Sequence, residues 1–329
     1  MTEKTLNVLI IGCGNIAGDL DSDREIDSPP LTHAGAYTTH PYFKISGCYD
    51  IDYEKCQNFS KTWNIPHAYK SFEEIIKSKI KFDVISICSP TKYHSDDLLT
   101  YLRLNPKLVF CEKPLTASTK DSYELIRTYK NKNILLAVNY SRRWDNHITN
   151  LKSEINKNLR GKLRSIVGYY NKGILNNGSH LIDLITFLIG DISIKSVSSV
   201  DQHNSASDPD VCVVFEGLKS IPIILVPGAQ ANDFSIFEMH MTFEKGMLTM
   251  HDSGLLWSER KVSDSNTFRN YKVLDELEFK KGGYQQVMLN AVDNIWHAIS
   301  KGTPLHSTAK TAIKSQTLCE KIIDLSSSG

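Results

Sequence analysis

Leu6-Asn7-Val8-Leu9-Ile10-Ile11 runs without a break into Gly12-Cys13-Gly14-Asn15-Ile16-Ala17. An apolar run of strand length that empties into a glycine turn restricts the possible folds, because both faces of such a strand must be covered. The residues beyond Ala17 narrow the choice. Strand patterns at 6–12, 43–50, 83–88, 107–111 and 133–139 alternate with helical patterns at about 32–40, 53–62, 71–79, 93–104 and 118–130. This alternation predicts an α/β unit, a doubly wound parallel sheet with helices on both faces. Ser71-Phe72-Glu73-Glu74 and Ser118-Thr119-Lys120-Asp121 open two of the helices with a hydroxyl cap followed by an acid.

After about residue 140 the rhythm changes. Helical patterns near 146–158 and 179–189 are joined by strand patterns at 163–171, 193–200, 210–217, 220–227, 235–244, 247–251 and 255–262, before helices return at 284–300 and 308–325. Consecutive strands separated by Gly, Asn, Asp and Ser clusters predict an α+β unit with a mostly antiparallel open sheet. A chain of 329 residues exceeds one ordinary core. The expected division is residues 1–140 as a dinucleotide-binding (Rossmann) domain and 141–329 as a substrate-binding and oligomerisation domain, with Ser326–Gly329 frayed.

Composition excludes several classes of function. An apolar fraction of 41% and a charged fraction of 23% are those of a soluble globular protein. A net charge of +1 leaves no electrostatic footprint for nucleic acid or an anionic membrane. Met1-Thr2-Glu3-Lys4-Thr5 lacks the basic and apolar regions of a secretory signal, and no run reaches the ~18 apolar residues of a membrane span. The seven cysteines are scattered, with no Cys-x-x-Cys pair, so neither a disulfide framework nor a metal site is expected. A reducing, cytoplasmic setting is the expectation.

In the glycine turn, Gly12 permits the tight reversal, Gly14 lets the amides of Asn15 and Ile16 approach a pyrophosphate, and Ala17 allows close helix–strand packing. Amides at the helix start are expected to face the phosphates. An acid at the end of the second strand meets the adenosine ribose; Asp50 fits and Asp52 is the alternative. Asp50 lies 50 − 12 = 38 residues beyond Gly12, against the usual ~20. The excess falls in the acid-rich, Pro29-Pro30-containing stretch 19–31, read as an inserted loop. Its Asp21, Asp23, Glu25 and Asp27 either form a solvated lid or face a ligand, and Thr32 and His33 either face the pocket or pack. A carboxylate at 50 repels a 2′-phosphate, so NAD(H) is expected in preference to NADP(H).

The run Leu108–Cys111 ends at Glu112-Lys113-Pro114, which delivers a lysine to the carboxyl edge of the sheet, where open α/β sheets bind ligands. With Gly12–Ala17, Ser89-Pro90-Thr91-Lys92-Tyr93-His94, Asn139-Tyr140-Ser141-Arg142-Arg143 and Asn176-Asn177-Gly178-Ser179-His180-Leu181-Ile182-Asp183, this segment resembles the Gfo/Idh/MocA family of NAD(P)-dependent sugar oxidoreductases. The resemblance extends over nearly the whole chain. It implies a C-terminal sheet that pairs subunits into a homodimer or homotetramer. It also places Ser89, Pro90 and His94 along the cofactor and Glu112 and Lys113 beside the nicotinamide ribose. Asn139 and Arg143 then approach nicotinamide or substrate, with Lys113–Pro114 expected to be cis. His94 alternatively opens a surface helix, and Arg142 and Arg143 alternatively lie in solvent.

Hydride transfer at a carbinol needs a proton acceptor and a donor to the oxygen. Lys113 and His180 are the catalytic candidates, Asp183 lies one turn beyond His180, and Asn176, Arg143 and Asp183 are the substrate-binding candidates. Asn176 stands where the family has aspartate, and an amide accepts no proton at neutral pH. The expected activity is oxidation or reduction of a sugar or sugar nucleotide, in the setting of surface-glycan synthesis. The alternatives are an NAD-retaining epimerase and a non-catalytic NAD-binding protein.

Overall fold

The computed structural model describes residues 5–25, 27–199, 207–230 and 233–327. Residue 200 of the expected strand, most of the N-terminal stretch 1–5 and the last two residues of the expected frayed end lie outside it. The chain forms two compact units, Met1–Trp144 with Gln285–Ile313, and Asp145–Tyr284 with Lys314–Gly329.

The first unit is built on six parallel strands: β1 (Leu6–Ile11), β2 (Phe43–Tyr49), β3 (Ala68–Tyr69), β4 (Val84–Ile87), β5 (Leu108–Cys111) and β6 (Leu135–Val138). Their order, β3-β2-β1-β4-β5-β6, is that of the doubly wound fold. Strands β4 and β5 are buried along their whole length, which is why they read as apolar runs broken only by Ser86. The helices between them are α1 (His33–Thr39), α2 (Tyr53–Thr62), α3 (Phe72–Lys77), α4 (His94–Leu102) and α5 (Thr119–Asn131). Ser71 and Ser118 cap α3 and α5 as their motifs predict, accepting from the N–H of Glu74 and Asp121.

The acid-rich insertion is tied inward at one point. Asp21 is buried and accepts from the N–H of Leu31 (2.9 Å), the N–H of Thr32 (2.9 Å) and Thr32 Oγ1 (2.6 Å), while Asp23, Glu25 and Asp27 are exposed. Thr32 in turn caps α1 by accepting from Gly35 N. A Cβ on Gly35 would fall 2.3 Å from Asp21 Oδ2, so glycine is needed for the close approach. The reading of Asp21 as part of a solvated lid is corrected: it staples the loop to the start of α1.

The second unit contains α6 (Asn146–Asn156), β7 (Leu163–Tyr170), α7 (Ser179–Ile189), β8 (Ser193–Ser199), β9 (Val211–Glu216), β10 (Pro222–Pro227), β11 (Phe237–Phe243), β12 (Gly246–His251), β13 (Leu256–Asp264), β14 (Lys272–Leu274) and β15 (Glu278–Lys281). The strand order is β14-β13-β12-β11-β7-β10-β9-β8, with β15 on β13, and among the described residues only the β7–β10 pairing is parallel. Burial alternates residue by residue along β7, β9 and β11. The buried face, including Ile166, Val213, Leu225 and Met241, packs on Ile148 and Leu151 of α6 and Leu181, Leu184 and Ile185 of α7.

Helix α8 (Val287–Lys301) belongs to the first unit, although the expected division at residue 140 assigned it to the second half. Its contacts explain this. Asn294 accepts from the Trp144 indole (3.0 Å), Asn290 donates to the Trp144 carbonyl (2.9 Å), and Trp296 stacks on Tyr42 at 4.6 Å. From Lys314 onward, α9 (Ala309–Ser327) belongs to the second unit.

Replacing Asp21 by alanine leaves three donors without their carboxylate. We expect a loss of about 2 kcal/mol, seen as a fall in Tm of about 4–8 °C by calorimetry; an unchanged Tm would mean the insertion contributes nothing to the fold.

Candidate active site

In the first unit the glycine turn has the geometry its sequence requires. Gly12 sits at φ +83°, and a Cβ there would meet Ser89 N at 2.5 Å, so the turn and the β4 loop approach closer than any side chain allows. The N–H of Cys13 donates to Asp50 Oδ2 at 2.8 Å. Asp50 therefore braces the turn as well as standing at the end of β2, while Asp52 is committed as the cap of α2 through Lys55 N (3.1 Å). Among the described residues, the N–H groups of Gly14, Asn15 and Ile16 meet no main-chain acceptor. The start of α1 differs from expectation: the N–H groups of His33 and Ala34 donate to Ile16 and Ala17 carbonyls, so the turn itself, not this helix start, holds the amides left for a phosphate.

Beside the turn lies a cavity of about 240 Å³ lined by Gly12, Asp50, Lys55, Ser89, Pro90 and Asp97, among others. Lys55 Nζ reaches to 3.3 Å of where a Gly14 Cβ would stand. Ser89 Oγ donates to Asp97 at 2.5 Å; burial pushes the Asp97 carboxyl up, and that bond partly offsets it.

His94 opens α4 yet is buried. Its Nδ1 lies 2.9 Å from the Pro114 carbonyl and its Nε2 2.8 Å from the Ser89 carbonyl. Both ring nitrogens are thus engaged within the protein, so His94 positions the Ser89 and Pro114 loops rather than presenting a nitrogen to a ligand. The reading of it as a surface-helix residue is likewise corrected. The Lys113–Pro114 peptide is cis, as expected.

Glu112 is the junction of the site. Its Oε1 accepts from Asn139 Nδ2 (2.7 Å) and lies 2.9 Å from His33 Nε2, while His33 Nδ1 faces Ser86 Oγ (3.2 Å), which meets Tyr37 Oη (2.9 Å). An ionised carboxylate only accepts, which makes Nε2 the donor. Ser86 Oγ then links the His33 ring to the Tyr37 hydroxyl. Burial pushes the Glu112 carboxyl up, but the contacts with His33, Asn139 and Lys113 outweigh it and hold it below the usual carboxylate range. Of the two readings left open for His33, the structure selects the packed one: the ring is fully buried and bonded within the protein. Tyr37 and Ser86 carried no signal in the sequence, since only the fold brings them to His33, whose partner Glu112 is itself 79 positions away.

Asn139 commits its amide to Glu112, and its Oδ1 is buried with no partner among the described residues. An orphaned acceptor at the carboxyl edge of β6 suits a carboxamide donor. Together with the glycine cradle and the Asp50 cavity, it fits a nicotinamide dinucleotide. Arg142 and Arg143 are buried in the turn after Asn139, which excludes the solvated alternative.

The second unit carries the Asn176–Asp183 segment. Residues Gly173–Gly178 form a π-helical turn after Lys172, with Lys172 and Gly173 at φ 66° and 90°. Two carboxylates grip its backbone: Asp208 accepts from Leu175 N (2.6 Å) and Asn176 N (3.1 Å), and Asp210 from Gly173 N (2.8 Å). Asn176 is exposed on this turn, and His180 is half-buried at the start of α7 with its ring 6.4 Å from that of Phe237. Asp183 is buried and accepts from Ser315 Oγ at 3.2 Å, which anchors α7 to α9.

Residues 6–140 match the model of the Gfo/Idh/MocA family, described as an oxidoreductase family with an NAD-binding Rossmann fold. Over this stretch the first unit is similar to the NAD-binding Rossmann domain of that family. A D-glucoside 3-dehydrogenase of Escherichia coli (strain K12) is 21% identical over 79% of this chain and 71% of its own length. A trans-1,2-dihydrobenzene-1,2-diol dehydrogenase of Xenopus tropicalis, 40% identical over 26% of this chain, and a myo-inositol 2-dehydrogenase of Thermotoga maritima, 27% identical over 34% of it, match over 25% and 33% of their own length. Among solved structures, an oxidoreductase from Agrobacterium radiobacter in complex with NAD+, L-tartaric acid and magnesium superposes with a TM-score of 0.76 at 15% identity, covering 99% of this chain and 97% of that one. A 3-ketoreductase from Actinomadura kijaniata in complex with TDP-benzene and NADP gives 0.76 at 12% identity, covering 98% of each. Both units thus share the fold of these oxidoreductases. Among the described residues no helix is long and apolar enough to cross a membrane.

The Glu112 junction makes a signed prediction. A carboxyl held low in the folded state stabilises it above its unfolded pKa of ~4.3, and that contribution fades as pH falls through the lower folded value. Glu112→Gln is expected to cost about 1–3 kcal/mol near neutral pH, with the gap to the natural protein closing below about pH 4. Denaturant melts across pH check it; a gap independent of pH would mean the carboxylate charge is irrelevant.

Proposed function

We propose that this chain is an NAD(H)-dependent oxidoreductase acting on a secondary carbinol, or the matching ketone, of a sugar or sugar nucleotide. The observation that carries the reading is the orphaned Asn139 Oδ1 on a side chain fixed by Glu112, with Lys113 next along the chain. The glucoside 3-dehydrogenase relative supports a saccharide ring as substrate class and its third carbon as the reacting position.

A bound nicotinamide supplies the two-electron acceptor. The residues handle charge and protons. The Lys113 ammonium donates to the substrate oxygen and stabilises the negative charge that grows there. His180 takes the hydroxyl proton as the carbon loses its hydride and the carbonyl forms. Asn176 orients a hydroxyl but accepts no proton, which leaves the base role to His180 alone. An NAD-retaining epimerase would use the same groups without accumulating NADH, and a non-catalytic binder would need neither. The half-exposed face of the second sheet supports pairing with a further copy of the chain.

Preference for NAD(H) follows from Asp50 in the adenosine-side cavity, tempered by Lys55 in the same wall. NADH is expected to bind at least ~10-fold tighter than NADPH, equivalent to ~1.4 kcal/mol, and Asp50→Ala to narrow that ratio. Fluorescence titration decides; tighter NADPH binding would remove Asp50 from the discrimination. Lys113→Ala is expected to lower turnover by ~10²-fold or more while NADH still binds. A panel of free and nucleotide-linked sugars, followed by NADH absorbance, provides the assay; near-normal turnover in this variant would defeat the assignment.

A further inference from the structure

Three thiols far apart in the chain converge behind the glycine turn. Cys13 lies within the turn, Cys48 on β2 and Cys56 in the first half of α2, and all three are fully buried. Their sulfurs lie within 4.8 Å of one another, with Cys48 and Cys56 at 3.6 Å. Among the described residues, and beyond one another, the sulfurs have main-chain carbonyls as hydrogen-bond partners: Cys13 that of Tyr49 (3.7 Å), Cys48 those of Cys56 (3.7 Å) and His67 (3.8 Å), and Cys56 those of Cys48 (3.4 Å) and Tyr69 (3.9 Å). A single buried thiol behaves as a small hydrophobe and implies no site. Here three separate elements turn their sulfurs to a common centre.

We propose that Cys13, Cys48 and Cys56 form a binding site for a soft, thiophilic d¹⁰ metal ion, such as Cu(I) or Cd(II), and that filling it weakens dinucleotide binding at the turn. Metal–sulfur bonds of about 2.3 Å in a trigonal array separate the sulfurs by about 4 Å, which the observed spacing brackets. Among the described residues no fourth side-chain donor joins the group, so a closed four-ligand zinc centre is not completed. Thiolate donors select soft ions over magnesium or calcium. On binding, each S–H bond breaks, the proton leaves to solvent and a sulfur–metal bond forms; no electron is transferred. Three thiolates outweigh the charge of the ion, so the complex is anionic.

The coupling follows from where Cys13 sits. It lies between Gly12 and Gly14, and its N–H is held by Asp50 at 2.8 Å. Drawing its sulfur toward a metal shifts the turn and places negative charge behind the amides that face a pyrophosphate. By linkage, a bound dinucleotide must weaken the metal by the same factor. This half of the proposal rests on the dinucleotide function; the metal site does not. Spacing along the chain, with no Cys-x-x-Cys pair, carries no sign of it, and the expectation of no metal site is revised accordingly.

The test uses the full-length, reduced, metal-free protein, with Cd²⁺ as the probe. Its ultraviolet sulfur-to-cadmium band is expected to saturate at one ion per chain, and X-ray absorption of the complex to find three sulfur neighbours. Cys48→Ala and Cys56→Ala are each expected to lose at least ~10-fold in affinity, whereas Cys212→Ala on β9 keeps it. Fewer than three sulfur neighbours, or full affinity in the alanine variants, overturns the site; if those variants fail to fold, X-ray absorption alone decides. NADH is then titrated with and without Cd²⁺, and a ~10-fold weakening is expected, within the usual range of coupling. Unchanged NADH affinity overturns the coupling, while failure of the metal-free protein to bind NADH overturns the dinucleotide reading and leaves the metal site standing.

Discussion

A carboxylate taken from water at the end of a parallel strand costs several kcal/mol unless donors surround it. Glu112 meets that condition through His33 at 2.9 Å and Asn139 at 2.7 Å. The consequences spread outward from this pair of bonds. His33 fixes the first residue of α1 against β4 through Ser86, and Asn139 is held with its carbonyl oxygen unspent. Lys113 comes directly after the residue that these donors immobilise. Three strand or helix ends thus acquire their relative positions from one anion. A rigid first unit is what a hydride transfer needs, because small displacements of a positioned group cost large factors in rate.

The same device recurs in the second unit with different partners. Asp208 and Asp210 grip three backbone N–H groups of the Gly173–Gly178 turn. A π-turn leaves main-chain groups out of the ordinary helical ladder, and the carboxylates satisfy those at Gly173, Leu175 and Asn176. The exposed Asn176 side chain is therefore carried on a constrained backbone.

Much of this is legible in the residues alone, for reasons of period. Strands β1, β4 and β5 are short, mainly apolar runs bounded by polar turns, and β7, β9 and β11 alternate with a period of two. The glycine turn, Asp50 and the cis Lys113–Pro114 bond arise from local chemistry, and they are where the sequence put them. Elements without a pattern escape such a reading. β3 is two residues long, and β14 and β15 are short and largely exposed, so nothing in their composition marks a buried face. Long-range partners escape it as well: the Tyr37–Ser86–His33–Glu112 chain and the three-thiol cluster join residues whose spacing has no local logic. His94 misleads because a histidine opening a helix reads as exposed, whereas two carbonyls enclose it.

The return of residues 285–313 to the first unit has a bearing on biogenesis. N-terminal domains commonly complete themselves on the ribosome while the rest of the chain is still being made. Here Trp144 and Tyr42 wait for Asn294 and Trp296, so the doubly wound sheet stays open at one corner until translation is nearly over. Chaperone dependence during synthesis, and intolerance of C-terminal truncation by an otherwise intact nucleotide fold, are the natural result of a discontinuous unit.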